Sequence, residues 1–298
     1  MRFAAFFVAE LRIEVMMLNT ERAASVVILV ALAGTVLAGA ETRQQLHFKV
    51  GRKASVSINN QYGPISVKAG PKKEVVITAV LHSDKVEIDQ SHRGNRVDIV
   101  SHLFAGADQN SGQVDYEVTV PADANVTLTS MTGPLHAEKL QGDVVMEGNT
   151  ATVDVRDVND AHVHVKTLNG PVTLTDIRDG HVEITSLSGD VVLVSVNGPL
   201  VQVNSSSGKI SYSGDFGDGG EYLLTSHSGD IDAIAPSYAS IDVTARSVQG
   251  QVVNDFPLEP KHTPFPIKAG SAFAGTVGKA ASSVKLFSFS GKIHLKKR

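Results

Sequence analysis

Residues 185–200 read TSLSGDVVLVSVNGPL. A small polar pair leads into Gly189 and Asp190, an apolar run follows, and Gly198 ends it. Ser-Gly-Asp suits a catalytic loop, a calcium turn or a device that shapes backbone, and recurrence decides among them. Gly133 in MTGPLHAE, Gly170 in TLNGPVTL, Gly208 in SSSGKISY, Gly229 in SHSGDIDA, Gly250 in SVQGQVVN and Gly291 in SFSGKIHL stand in the same context. Ala151 takes the glycine place in NTATVDV, and the spacings from 133 to 250 are 18, 19, 19, 19, 21 and 21 residues. A second series lies halfway between, at Gly142, Ala161, Gly180 and Gly198, spaced 19, 19 and 18 residues. Two interleaved series with one period define a repeat protein.

The residues after each corner say what one unit is. The second and fourth are mostly apolar, as in Val153 and Val155, Val172 and Leu174, Val191 and Leu193, Ile210 and Tyr212, Ile293 and Leu295. Those between are mostly polar or small, which is strand period with one wet face. Two strands and two turns in ~19 residues leave no room for a helix crossover. The expected fold is therefore all-β: a single-chain, flattened β-solenoid with coils of two strands stacked at ~4.8 Å. Glycine at the corners is expected to serve positive φ and close stacking of coil on coil. Ser, Thr and Asn before it suit hydrogen bonds to the turn backbone.

Regular coils are expected over 131–298, interrupted by a proline-rich excursion at 254–275 that reads as a cap or loop before the last coil. Residues 41–130 carry alternating runs such as ASVSINN, EVVITAVL and RVDIVSH and read as less regular coils or a capping sheet. Solenoid ends must be covered, because an open edge recruits other chains. Ahead of this lies Arg22, an apolar run Ala23–Ala38, and Ala38-Gly39-Ala40 before Glu41. Small residues three and one before a cut suit signal peptidase, and the run falls short of the ~20 residues that span a bilayer comfortably. Residues 1–40 thus read as a signal-peptide region, with 1–15 an over-called start before Met16 and Met17. An exported chain, periplasmic or extracellular, follows.

The totals exclude more than they select. There is no Cys, which removes disulfides, thiol catalysis and Cys-ligated metal sites. The net charge is −4 and no long basic block exists, so a nucleic-acid face is unsupported; the closing HLKKR reads as a solvated tail.

The order YGPISV (62–67), VDYEVTVPADANVTL (114–128), a ladder of Gly-cornered units and a final SFSGKIHL resembles the bacterial DUF4097 family over roughly 45–298. That family is described as β-strand repeat proteins and candidate adhesins. The resemblance implies an envelope-associated β-solenoid with no established catalytic residues.

Four constellations invite chemistry. Aligning Ala161 with Gly180 sets His162 beside His181 and His164 beside Glu183, so all four project from one strand face. Imidazoles with a carboxylate suit Zn²⁺ or Cu²⁺; an exposed ladder of stacked polar residues is the other reading. Asp215, Asp218 and Glu221 in SGDFGDGGEYL offer hard oxygen ligands, but their spacing matches no calcium loop and favours a corner insertion. Ser282 and Lys285 form Ser-x-x-Lys, yet strand alternation sends them to opposite faces. AGTVGKA (274–280) lacks the residues of a phosphate loop.

No catalytic, cofactor-binding or metal residue is therefore assigned, and no cofactor is expected. The favoured function is a non-enzymatic, adhesin-like or protein-interaction scaffold, whose partner is a protein or surface polymer. A regulatory or sensor component of an envelope stress system is one alternative. A carbohydrate-active β-helix enzyme is another, weakened by the absence of Trp and by Asp143, Asp190 and Asp230 being dispersed along the corners. No stable membrane span is expected after signal cleavage.

Overall fold

A computed structural model describes residues 41–70, 73–261 and 270–298. The expected signal region, 1–40, lies outside the described residues. Among those described there are 25 strands and no helix, arranged in one sheet of 12 strands and one of 13. No described helix is long and apolar enough to cross a membrane.

One coil shows how the sequence winds. His181–Ser186 runs in the larger sheet, a turn at Leu187–Asp190 changes direction, and Val191–Val196 runs in the smaller sheet. A second turn through Asn197–Pro199 then lifts the chain into the next coil, Leu200–Ser205. Strands one coil apart pair in parallel and in register, so like residues stack on like. Val153, Val172, Val191 and Ile210 form one buried column, and Val163, Val182, Val201 and Tyr222 another in the facing sheet. Their burial is the main stabilising contribution, at ~1.5–3 kcal/mol for each large side chain.

The corner glycines work by proximity. A Cβ at Gly189 would lie 2.0 Å from the carbonyl oxygen of Gly170, and one at Gly208 would lie 2.1 Å from that of Gly189. Neither backbone is in the left-handed region, which corrects the expectation of positive φ at these corners. Among the described residues, half of the non-glycine left-handed positions are aspartates: Asp157, Asp160, Asp176 and Asp179, with φ of 51–55°. Asp tolerates that region better than most residues do. Asp157 and Asp176 drop out of the ladder, since Arg156 pairs with Thr175 and Val158 with Ile177. Each is a left-handed kink, with Asp157 opposite Asp176, that turns the next residue, Val158 or Ile177, into the core.

Chain order and spatial order part company at both ends. The coil Ser55–Asn60 and Ile65–Gly70 lies between Arg96–Leu103 with Val114–Pro121 on one side and Asn125–Ser130 with Leu135–Glu138 on the other. The final coil, Ser282–Ser288 with Ile293–Lys297, is likewise inserted between Glu221–Ser226 with Ile231–Ala235 and Ile241–Ser247 with Val252–Asn254. Gly291 thus belongs between Gly229 and Gly250, not after them: its Cβ would meet Gly229 O at 2.1 Å, and that of Gly250 would meet Gly291 O at 2.3 Å. The residues after the corner glycines then alternate in charge along the stack, as Asp190, Lys209, Asp230 and Lys292.

Antiparallel strands extend both sheets at one end of the stack and the larger sheet at the other. Glu74–Leu81 pairs with Val114–Pro121, Thr42–Lys49 with Glu74–Leu81, and Val86–Arg93 with Arg96–Leu103. At the other end Ala272–Val277 covers Ile241–Ser247 and is itself met by Glu259–Pro260. The proline-rich excursion therefore supplies edge cover; residues 262–269 within it lie outside the described residues.

Candidate functional site

Seven stacked turns share the pattern Ser/Thr-x-x-Gly, and its parts have separate duties. Ser130, Thr167, Ser186, Ser205, Ser226, Ser288 and Ser247 are buried at the first position. Their hydroxyls bond the turn: Ser186 Oγ donates to Gly189 O at 2.7 Å, and Gly291 N donates to Ser288 Oγ at 2.9 Å. Ser247 Oγ reaches across coils to Gly291 O at 2.7 Å. The second position points to solvent and is often apolar. Met131, Leu168, Leu187, Phe289 and Val248 are 44, 47, 51, 37 and 44% exposed, so this is a row of presented side chains. Backbone bonds such as Leu187 N to Thr167 O and Val248 N to Ser288 O hold the row in register. His227 continues it, stacking parallel on Phe289 with ring centroids 5.0 Å apart.

A depression of 370 Å³ opens beside this row, lined among others by Met131, Gly148, Asn149, Lys166 and Leu168. Gly148 pairs in register with the buried Ser130 and Thr167, and a Cβ there would meet that of Ala151 at 2.8 Å. The presented row escaped sequence reasoning. Its signal is an apolar residue two places before each corner glycine, inside a turn that is otherwise polar.

The histidine cluster stands where the period places it: His162 pairs with His181, and His164 with Glu183. His181 Nε2 lies 3.1 Å from Glu183 Oε1, and His164 Nδ1 lies 3.3 Å from Glu183 Oε2. The rings of His162 and His181 meet edge-on at 5.1 Å. The His181 hydrogen bond, joined by that of His164, holds the Glu183 carboxyl below its usual range and outweighs the opposing desolvation.

The other constellations resolve into structure. Ser282 is buried and donates to Gly217 O at 2.7 Å, while Lys285 faces out and pairs with Glu221 at 2.7 Å. The acidic loop is a plug rather than a cage. Its Phe216 stacks on Tyr212 at 4.5 Å and meets Tyr222 edge-on at 4.8 Å, while the Asp215 carboxylate accepts from Gly217 N at 3.2 Å. AGTVGKA lies on the covering strand Ala272–Val277 and the turn after it, with no helix N-terminus to cradle phosphate. The corner aspartates brace one coil on the next: Asp190 accepts from Lys209 N at 2.8 Å, Asp230 from Lys292 N at 2.7 Å, and Asp143 from His162 N at 3.2 Å.

Known proteins can be set beside this geometry. The chain is similar to crystal structures of a candidate cell adhesion protein from Clostridium sporogenes (13% identity, TM-score 0.29, covering 87% of this chain and 99% of that one) and of a candidate adhesin from Bacteroides fragilis (13%, 0.45, 87% and 99%). A candidate adhesin from Parabacteroides merdae is similar at 9% identity and TM-score 0.39, covering 88% of this chain and 97% of that one. No curated protein matches the sequence. The family model Toastrack DUF4097 matches residues 52–296, in agreement with the resemblance carried by the glycine ladder, and the chain belongs to that family.

Proposed function

We propose that the protein is a non-enzymatic, adhesin-like scaffold of the cell envelope that binds a partner protein through the presented row of its stacked turns. One observation carries this reading: Met131, Leu168, Leu187, Phe289 and Val248 are large apolar side chains held in solvent at the same turn position of different coils. Apolar surface ordered in this way, beside a polar sheet, suits a partner surface. Many weak contacts repeated at ~4.8 Å give avidity without one deep pocket. The carboxylates expected of a sugar-cleaving enzyme are occupied as braces between coils.

The test uses purified protein coupled to beads and presented with envelope fragments of the producing cell. Retention of envelope proteins is expected, and it is expected to fall sharply in the triple variant Met131→Ser, Leu168→Ser, Leu187→Ser. Melting should barely change, because surface substitutions cost within ~0.5 kcal/mol. Equal retention by the variant would remove the row from the function. Turnover of a polysaccharide by the purified protein would overturn the non-enzymatic reading.

A further inference from the structure

We propose that His162, His164, His181 and Glu183 form a surface site for a divalent transition-metal ion of the zinc type. Elsewhere on this sheet face charges pair one to one: Lys166 with Glu147, and Lys285 with Glu221. Around Glu183, two imidazoles, His181 and His164, share a single carboxylate, and the ring of His162 meets that of His181. Neutral imidazole nitrogen with one carboxylate oxygen is a donor set that Zn²⁺ takes.

The lattice of the parallel sheet supplies the spacing. His162 and His164 are two apart on one strand and share a face, and their register partners His181 and Glu183 complete a square on the next coil. Four ligand atoms at the usual bond lengths around a tetrahedral zinc lie about 3.3 Å from one another. His181 Nε2 lies 3.1 Å from Glu183 Oε1 and His164 Nδ1 lies 3.3 Å from Glu183 Oε2, lengths near that edge but on the two different oxygens of the carboxylate. Among the described residues no three or more ligand side chains already stand where they could hold a metal ion, so binding here requires these side chains to turn toward the cation. The group with the furthest to turn is His162; its side chain is 73% exposed and its nearest acidic atom, Asp143 Oδ1, stands 3.9 Å away. Strand backbones on both sides are fixed by the ladder, so closure needs side-chain rotation alone. The metal would replace the hydrogens now shared between imidazole and carboxylate, so binding releases protons and weakens as the pH falls.

The experiment titrates Zn²⁺ into tag-free, chelator-stripped protein by calorimetry at neutral pH and near pH 5.5. One equivalent is expected to bind at neutral pH, with affinity lost at the lower pH. His164→Asn and His181→Asn should each weaken binding by at least the roughly 10-fold that even an outer partner costs. His136→Asn, on the opposite sheet beside Asp154, should leave it unchanged. These side chains lie at the surface, and matching melting curves would show that the variants fold. Absence of saturable binding, or equal affinity in the His164 and His181 variants, would overturn the proposal.

Discussion

Gly189 and Gly94 separate two reasons for keeping a glycine. At Gly94 the backbone has φ of +60° and an added Cβ would meet nothing within 4 Å. There, alanine is charged only for the left-handed conformation, ~1–2 kcal/mol. At Gly189 the conformation is ordinary, but the Cβ would be driven to 2.0 Å from Gly170 O, a backbone atom that moves only if the coil moves. Gly189→Ala is therefore expected to destabilise clearly more than Gly94→Ala in urea unfolding. Equal costs would mean that the corner is not packed as described. The buried hydroxyl three residues earlier is the partner of this arrangement, since Ser186 bonds the carbonyl of the same glycine. Its place could have been read in the repeated Ser/Thr-x-x-Gly spacing. The left-handed kinks at Asp157 and Asp176 show in the sequence only as a break in alternation, two polar residues in a row before Val158 and before Ile177.

At the scale of elements, period and register were legible and coil order was not. A 19-residue step with strict alternation fixes which residue faces which in adjacent coils, so His162 beside His181 could be read before any coordinates. Most coils present the same Ser/Thr-x-x-Gly edge, the final one included, so such a coil can dock on any other of its kind and nothing local marks Ser282–Lys297 as an insert. The alternation of Asp190, Lys209, Asp230 and Lys292 shows its trace only once the spatial order is known. Absence of native cysteine makes the order easy to test. Thr225 pairs in register with Phe287, and Phe287 with Arg246 on its other side. Register partners sit ~4.8 Å apart, within disulfide reach, while residues two coils apart exceed the ~7 Å limit. Mild oxidation is expected to cross-link Thr225→Cys with Phe287→Cys and to leave Thr225→Cys with Arg246→Cys reduced. The reverse result would put the coils in chain order.

For the whole molecule, the ionisable groups set a stability plateau with two edges. His181 and His164 hold Glu183 below the ordinary carboxylate range, and His294 does the same for Asp255. Burial pushes Asp232 up, but Lys209 and Lys296 outweigh it and the net displacement is downward. A carboxylate depressed in the folded state contributes stability that is complete above its unfolded value, about 4, and is lost as pH falls through the lower folded value. At the other edge burial raises Tyr116 to about 12, against an opposing bond from Ser101, and raises Tyr222 to about 12. Unfolded tyrosine ionises near 10, so this contribution is whole below about pH 10 and is lost as pH rises from there toward 12. Melting temperature in low salt with chelator is thus expected to be flat between about pH 5 and 9, to fall on the acid side below about 4, and to fall on the alkaline side above about 10. Glu183→Gln should soften the acid fall. Tyr116→Phe should soften the alkaline one, at the cost of about 1 kcal/mol for the bond to Ser101. An acid limb indifferent to Glu183, or an alkaline limb indifferent to Tyr116, would show that other groups set the edges.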